Sequence, residues 1–527
     1  MTGDIQDTLW DVIVIGAGMG GGIVGRRLAE MGLSVLFVEK GPNGHRAERQ
    51  GLNPDMADPV ARQLRGYWPG PMRATINGRA SEFFGPLGAG VGGSSVFYAA
   101  TLERPERHDL EATEDRPHPT GGWPVGFDAM RPWYARAEAL LHVCGEADPL
   151  SPEPPADLAK PPPLSAGDSA LMTSLTRAGL HPYRLHSAIR YLEGCHDCLG
   201  VKCPRPCKMD GRSAGVEPAL ATGRARLLDN CTVKRLCGAP GRISHIEVTR
   251  RGAAFDLRAR RFVLAAGAFG SPRLLLASHA AHWPGGCANE SGLVGRNLMF
   301  HLNEVFALWP PRAAHAPGPG KAISLRDLYH RDGQRFGTVQ AMGIDAGYGE
   351  IVHFLNGMFD RSALRHIRPL RQLTRIPALI AARLMGQAKV FVGLMEDLGY
   401  PENRVTWDED APEALDFTYH LHGELLTRRR AFRRAISKAL RGHRRLFLTH
   451  QPELNFGHPC GTLRFGNDPK TSVLNADCRA HGLDNLYVSD ASFMPSSMGV
   501  NPSLTIAANA LRVAEAIGTS LPKDATE

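Results

Sequence analysis

The chain has 527 residues, with 43% hydrophobic and 22% charged residues, and a net charge of +8. This composition is ordinary for a globular protein of more than one simple domain, and so mild a charge does not by itself indicate nucleic acid. No apolar run is long enough to span a membrane. The first residues carry no export signal, and cysteine is sparse outside one cluster. We therefore expect a cytoplasmic protein, or one that a partner subunit carries elsewhere.

The first predicted elements form a nucleotide-binding unit. Asp11 to Ile15 reads DVIVI, typical of a buried parallel strand, and a glycine turn with Gly16, Gly18 and Gly21 follows before a helical pattern. A second strand then ends at Glu39. Such glycines allow a pyrophosphate to approach the start of a helix, and Glu39 can accept from a ribose diol. An acidic residue there disfavours NADP, whereas FAD and NAD both remain open.

Four further motifs follow along the chain. They are GVGGSS at 90–95, FVLAAGAFGSP at 262–272, VGRNLMFH at 294–301, and HPCGTLRFG at 458–466 with NLYVSDASFMPSSMGVNPSLTIAANALRVAEAI at 485–517. Together with the first unit, this combination resembles the glucose-methanol-choline (GMC) family of FAD oxidoreductases over nearly the whole chain. The resemblance favours FAD over NAD.

The resemblance implies an α/β fold in which a Rossmann-like FAD-binding domain is interleaved with an α+β substrate domain built on an antiparallel or mixed sheet. We predict a discontinuous FAD-binding domain at 8–150, 215–300 and 455–522. A cysteine-containing insertion at 165–214 and a substrate domain at 301–454 make up the rest, and a proline-rich connection spans 148–164. Residues 353–358 and 389–395 are candidate strands of the substrate domain.

The resemblance also implies the residues that hold FAD. They are Gly16, Gly18, Gly21 and Glu39 at the adenosine end, Gly93 and Ser94 near the pyrophosphate and flavin, Val233 at the adenine, Asp490 and Ala491 at the pyrophosphate and ribityl chain, and Asn501, Pro502 and Thr505 at the isoalloxazine ring. One position departs from the family pattern, because Phe97 stands where an asparagine is often found. Contacts from that loop to the flavin are therefore in question.

Two residues match the catalytic positions of the family. His458 corresponds to the active-site histidine, and Asn501 to its partner, which is a histidine or an asparagine. Oxidation of an alcohol moves a hydride to flavin N5 and a proton to a base, and a neutral imidazole suits the proton. The amide of Asn501 can orient the hydroxyl. His301 and His450 are expected to be structural or to support the site.

Four cysteines lie within thirteen residues, at Cys195, Cys198, Cys203 and Cys207. Four close thiolates suit an iron–sulfur cluster or a zinc ion, while buried thiols without a ligand and disulfides are the alternatives. The spacing of the last three resembles the motif of the catalytic subunits of FAD-dependent glucose and fructose dehydrogenases, which hold a [3Fe–4S] cluster. We therefore favour an iron–sulfur cluster that passes electrons singly to a partner.

Two basic segments, 361–389 and 428–445, bear on partners. The plainest interpretation is two helices with solvated arginine faces, and the alternative is contact with a membrane surface or an acidic protein. No recognition motif accompanies the charge, so we expect no nucleic-acid binding.

We predict oxidation of a small alcohol to an aldehyde or ketone, with a protein or quinone as electron acceptor. An oxygen-using oxidase, an FAD-containing lyase and a zinc- or nucleic-acid-binding module are the alternative functions.

Overall fold

The structure is a computed structural model that describes residues 3–44, 46, 58–311, 318–345, 348–360, 362, 364 and 366–521. Its strands are β1 Leu9–Ile15, β2 Val35–Val38, β3 Met72–Ile76, β4 Arg79–Phe83, β5 Tyr183–Arg184, β6 Ala225–Leu228, β7 Cys231–Ala239, β8 Arg242–Arg250, β9 Ala253–Leu264, β10 His301–Leu308, β11 Ile323–Leu325, β12 His330–Arg331, β13 Gln334–Arg335, β14 Val339–Asp345, β15 Lys389–Glu396, β16 Arg404–Thr406, β17 Leu415–Tyr419, β18 Arg445–Phe447, β19 Glu453–Leu454 and β20 Leu486–Val488. Its helices are α1 Gly3–Asp7, α2 Met19–Glu30, α3 Pro59–Leu64, α4 Phe127–Leu140, α5 Ala166–Arg177, α6 Glu217–Ala221, α7 Gly267–Ala277, α8 Tyr348–Asp360, α9 Arg375–Met385, α10 Gly423–Ala439 and α11 Ser503–Ser520.

The first sheet carries the N-terminal glycine turn. Its strand order is β6-β2-β1-β9-β8-β7, and β20 also pairs with β9. β1 runs parallel to β2 and to the second half of β9, whereas β7, β8 and the first half of β9 form an antiparallel meander. Val12 to Val14 and all of β2 are buried, as expected for parallel strands covered on both faces. The predicted βαβ unit is thus present.

A second sheet is mostly antiparallel, with the order β18-β10-β15-β14-β11-β5 and with β19 also paired to β10. The predicted strand at 389–395 is confirmed as β15. The predicted strand at 353–358 is wrong, because these residues lie in α8. A short apolar run does not distinguish a strand from a helix by periodicity alone. The predicted fold class, with an α/β nucleotide-binding part and an α+β part, is confirmed.

A third sheet, ordered β16-β17-β3-β4, joins distant parts of the chain, because β3 pairs in parallel with β17. The predicted domain boundaries stay a prediction. α10 packs against the second sheet through Phe432 and Ile436, which are buried over Gly393 of β15. Within the described residues, no helix is long and apolar enough to cross a membrane.

Candidate active site

A continuous cavity of about 1010 Å³ is lined by residues of the first and second sheets and of the segments that follow their strands. Most of the predicted cofactor and catalytic residues line it. These are Gly16, Gly18, Glu39, Gly93, Ser94, Val233, His458, Asp490, Ala491, Asn501 and Pro502. Residues that are far apart in the chain thus surround one cavity.

Two glycine turns meet at this cavity. Gly16 has φ +99°, and a Cβ there would lie 2.4 Å from the carbonyl oxygen of Ala265, so only glycine fits. A Cβ on Gly93 would lie 2.9 Å from the Cα of Gly18. Gly21 is not among the lining residues, and a Cβ on it would collide with the carbonyl oxygen of Gly16. Gly21 therefore allows the helix to pack closely on the turn, which keeps the backbone free for a phosphate.

Glu39 directly follows β2 and supports the same turn. Its Oε2 accepts from the backbone N–H of Ala17 at 2.8 Å, and its Oε1 accepts from the N–H of Gly41 at 2.9 Å. Burial raises the pKa of Glu39, while the two N–H groups oppose the rise. Val233, on β7, lines the cavity with Glu39. This part of the cavity fits the adenosine portion of an extended dinucleotide.

Asp490 connects the C-terminal segment to the helix after β9. Its Oδ2 accepts from the N–H of Gly267 at 2.9 Å and from the hydroxyl of Ser271, and its Oδ1 accepts from the N–H of Ser492. These bonds hold Ala491 at the cavity, between the start of α7 and the segment before α11. Thr505 is fully buried outside the lining residues, where its hydroxyl bonds to that of Tyr134 at 3.1 Å.

Phe97 also lines the cavity, at the position where the family often has an asparagine. Its ring stacks on Tyr67, with centroids 4.0 Å apart and an angle of 15° between the planes. Ser94, from the same turn, accepts through Oγ from the N–H of Gly88 at 2.9 Å. This loop therefore presents an aromatic surface and backbone to the cavity.

Asn501 and His458 lie at the part of the cavity that the second sheet borders. Asn501 Oδ1 accepts from Nε2 of Gln340 at 3.0 Å, which leaves the NH₂ of Asn501 as a donor. Gln340, Asn303, Asn455 and other polar residues line this part with them. The sequence did not indicate these residues, because nothing in a strand pattern tells which polar side chain will face a cavity.

The imidazole of His458 has two neighbours at the same nitrogen. Its Nδ1 lies 3.3 Å from Nδ1 of His301 and 3.3 Å from Nδ2 of Asn455. His301 is fully buried, and its Nε2 lies 3.1 Å from the carbonyl oxygen of Met498, so Nε2 carries the proton and Nδ1 can only accept. Asn455 Oδ1 accepts from the N–H of Gly457, so Nδ2 of Asn455 is a donor that competes with His301 for Nδ1 of His458. In the tautomer in which His458 donates to His301, Nε2 of His458 has a free lone pair, which is the form a base needs.

The surroundings keep both rings neutral. Burial lowers the pKa of His301 to about 4. Burial also lowers the pKa of His458 well below 6.5, and the neighbouring His301 and the ammonium of Lys321 lower it further. His450 is exposed and is not among the lining residues. Neutral His458 is therefore the form present at physiological pH.

The cysteine loop borders the same cavity, since Leu199 and Gly200 are among the lining residues. Lys208 is fully buried in this loop, and its ammonium donates to the carbonyl oxygens of Val96, Tyr98, Cys198 and Val201 at 2.7–3.1 Å. Lys208 therefore fixes the cysteine loop to the Gly93 turn.

Cys195, Cys203 and Cys207 of the loop are free thiols. Cys195 and Cys207 are 3.0 Å apart between Sγ atoms. Burial opposes ionisation of Cys203, but N–H groups of Lys208, Arg205 and Cys207 lower the pKa of its thiol.

The arrangement of these sulfurs does not match zinc. A tetrahedral Zn²⁺ would hold its sulfur ligands roughly 3.8 Å apart. Within the described residues, three potential ligand atoms lie mutually within 4.8 Å only at Cys237, His245 and Glu247. There Glu247 is already paired with Arg235.

Comparison with known proteins identifies the class. Two family models, both described as GMC oxidoreductase, match residues 11–303 and 399–510. The chain therefore belongs to the GMC oxidoreductase family. The cavity with its two glycine turns, Glu39 and the Asp490 segment fits the FAD of this family.

Relatives of known activity cover nearly the whole chain. Paromamine 6'-oxidase of Streptomyces fradiae is 29% identical, with 98% of this chain and 92% of the relative covered. The fructose dehydrogenase large subunit of Gluconobacter japonicus is 26% identical, with 96% and 97% covered. Pyridoxine 4-oxidase from Mesorbium loti is similar in structure, with a TM-score of 0.62, 22% identity and coverage of 96% and 99%. The structural similarity to pyridoxine 4-oxidase supports the assignment of the fold alone.

Proposed function

We propose that this protein oxidises an alcohol to an aldehyde or ketone, with His458 as the base. The observation that carries the proposal is that a neutral His458 and Asn501 both line the cavity that fits FAD. When bound, FAD supplies the acceptor for the hydride that leaves the carbinol carbon. Nε2 of His458 takes the hydroxyl proton, so the alcohol loses one proton and one hydride and becomes a carbonyl.

Asn501 has the orienting role in this proposal. Because Gln340 donates to its Oδ1, the amide plane is fixed and its NH₂ can donate to the substrate oxygen. His301 holds the ring of His458 edge-on, with centroids 5.1 Å apart. The base and the orienting amide thus come from different segments, and each has a partner that limits its motion.

The test is anaerobic reduction of the bound flavin by alcohols. The bleaching of its visible absorbance measures the rate. His458→Ala and Asn501→Ala should keep FAD but slow reduction by about 10²–10⁴-fold, as expected when an acid–base group is lost. His450→Ala changes an exposed histidine and serves as the matched control. Wild-type reduction rates in both site variants would contradict the assignment. An FAD-containing lyase would show no alcohol-dependent bleaching.

We further propose that Cys198, Cys203 and Cys207, with Cys195 nearby, hold an iron–sulfur cluster. Three observations support this: the spacing, the N–H groups directed at Cys203, and the similarity to the fructose dehydrogenase large subunit. The loop borders the cavity, so a one-electron carrier here would be close to the flavin. Zinc or no ligand are the alternatives.

Protein purified without oxygen should contain about three or four irons per FAD, together with acid-labile sulfide. Cys203→Ser should lose this iron, whereas Cys237→Ser, a change of a free thiol outside the loop, should keep it. Iron-free protein with full alcohol-dependent turnover would reject the cluster.

We propose that the electron acceptor is a protein or quinone and that the enzyme works in the cytoplasm, at a membrane surface. The support is an exposed apolar surface made of Leu373, Ile376, Leu379, Ile380 and Leu384, whose side chains are 51–66% exposed. On α9 the opposite face is also apolar, with Ala378 and Met385 buried. A helix that is apolar on both faces needs a second apolar partner.

Charge favours an anionic membrane as that partner. Arg368, Arg375 and Arg383 are exposed beside the apolar surface, and no acidic residue occurs from 361 to 395. Two copies of such a surface would repel each other, whereas anionic lipid would attract it. In the segment 428–445, by contrast, Arg429 and Arg433 pair with the buried Glu304. Part of the positive charge of this segment is therefore neutralised within the fold.

Co-sedimentation with vesicles tests this surface. The protein should bind vesicles that contain phosphatidylserine and should bind neutral phosphatidylcholine weakly. A combined Ile376→Ser, Ile380→Ser, Leu384→Ser variant should lose binding, whereas Leu446→Ser, a change of a similarly exposed residue on β18, should keep it. Equal binding by both variants, or none by the wild type, would overturn the proposal.

A further inference from the structure

A buried ammonium in the cavity has no part in the reaction described above. Lys321 precedes β11, is 6% exposed, and lines the cavity with His458, Gln340 and Asn501. In contrast to Lys208, which donates to four carbonyl oxygens, Lys321 makes no hydrogen bond or ion pair within the part of the chain that the structure describes. The stem of Lys321 is buried and its ammonium opens into the cavity, so a bound anionic group would be its natural partner.

The backbone around Lys321 is held in place. The N–H of Gly320 donates to Oδ2 of Asp197 at 2.7 Å. Gly343 has φ +71°, and a Cβ on it would lie 2.9 Å from the Cβ of Lys321 and 2.4 Å from a methyl group of Leu199. The stem of Lys321 is therefore confined between β14 and the cysteine loop, and its ammonium is positioned in advance.

The ammonium is charged when the base is neutral. Burial lowers the pKa of Lys321 to about 8, and the buried Glu103 opposes the fall. Glu103 does not neutralise Lys321 directly, because its carboxylate is bonded to Tyr183 and Arg326. Near pH 7 the cavity thus contains a positive Lys321 and a neutral His458, an arrangement that attracts an anion and repels a cation.

We propose that Lys321 binds a carboxylate of the substrate, so that the enzyme prefers alcohols that also carry a carboxylate group. The proposal rests on the alcohol oxidation proposed above and adds the class of substrate. A carboxylate would give the ammonium the partner that it lacks, and it would hold the hydroxyl end of the molecule toward His458 and Asn501. An alcohol that carries an ammonium instead would meet like charge at the same place.

The test compares three probes of one shape: 4-(hydroxymethyl)benzoate, its methyl ester, and 4-(aminomethyl)benzyl alcohol. The holoenzyme should have the lowest KM for the carboxylate. Lys321→Met should raise that KM by about 30- to 5000-fold, as expected when one partner of a buried charged pair is removed, and should bring the KM values of carboxylate and ester together. Lys389→Met changes a lysine of the same sheet that pairs with Asp168, and it should preserve the preference.

Two further measurements do not depend on turnover. 4-Methylbenzoate, which has no hydroxyl, should perturb the spectrum of the oxidised flavin, and Lys321→Met should weaken this binding. The thermal midpoint of Lys321→Met should not fall, because the variant removes an unpaired buried charge. If 4-methylbenzoate binds but no alcohol is oxidised, the oxidation proposal fails and the carboxylate site stands. Equal KM values for all three probes in the wild type, or loss of FAD from Lys321→Met, would overturn the site.

Discussion

Replacement of Glu39 tests whether the glycine turn and the cofactor depend on one carboxylate. Glu39→Ala removes both bonds, to the N–H groups of Ala17 and Gly41. Glu39→Gln keeps one acceptor oxygen but places an NH₂ donor against the other N–H. We therefore expect FAD occupancy to fall in the order wild type, Glu39→Gln, Glu39→Ala.

The expected size follows from the two bonds. A hydrogen bond to a charged group contributes about 1.5–3 kcal/mol, so Glu39→Ala loses roughly 3–6 kcal/mol in all. If the whole loss appears in FAD binding, the Kd rises by about 10²–10⁴-fold. Glu39→Gln loses one of the two bonds, so its Kd should rise by about 10–10²-fold.

The assay is titration of apoprotein with FAD, together with the FAD-to-protein ratio of the purified variants. Glu82→Ala, a change of an exposed glutamate on β4, is the control and should bind FAD as the wild type does. Full occupancy and an unchanged Kd in Glu39→Ala would refute both the bonding argument and the placement of the adenosine end beside Glu39.

Other predictions follow from the same geometry. Gly16→Ala should abolish FAD binding, because φ is +99° and a carbonyl oxygen lies 2.4 Å from the new Cβ. Gly32→Ala, at φ +91° in open space, should lower stability by only about 1–2 kcal/mol in thermal unfolding. The rate of flavin reduction should stay constant down to a pH well below 6.5, because the neutral form of His458 persists above its lowered pKa. An acid limb at 6.5 or above would contradict this. Glu304→Ala leaves two arginines of α10 without their buried partner and should cost about 3–5 kcal/mol in urea unfolding, whereas Arg434→Ala, on the exposed face, should cost little.

The sequence predicted those parts of the site that depend on local chemistry. The strand before Gly16, the turn and the acidic end of β2 follow from an apolar run, a required positive φ and a fixed spacing, all within thirty residues. His458, Asn501 and Asp490 were located by motif, and the structure brings them to one cavity. Such features need no knowledge of which strands pair.

The parts that were missed depend on distant pairing. Gln340 and Lys321 reach the cavity because β14 lies between β15 and β11, and no local pattern encodes that order. Residues 353–358, which lie within α8, were predicted as a strand for the related reason that their apolar pattern suits either element. The burial of Arg429 could not be predicted from the sequence either, because its partner Glu304 lies on the distant strand β10.

The contacts of α2 with Ser489 and with α11 have a consequence for folding during translation. Ser489 Oγ donates to the carbonyl oxygen of Gly20 at 3.3 Å, across 469 residues, and Arg27 pairs with Glu515 on α11. Asp490 and Asn501, which complete the cavity, leave the ribosome more than 450 residues after the glycine turn. The N-terminal strand and turn must therefore wait without a cofactor while the chain between them is translated. A message shortened before this segment would yield a protein that cannot retain flavin, so loss of colour would report incomplete translation.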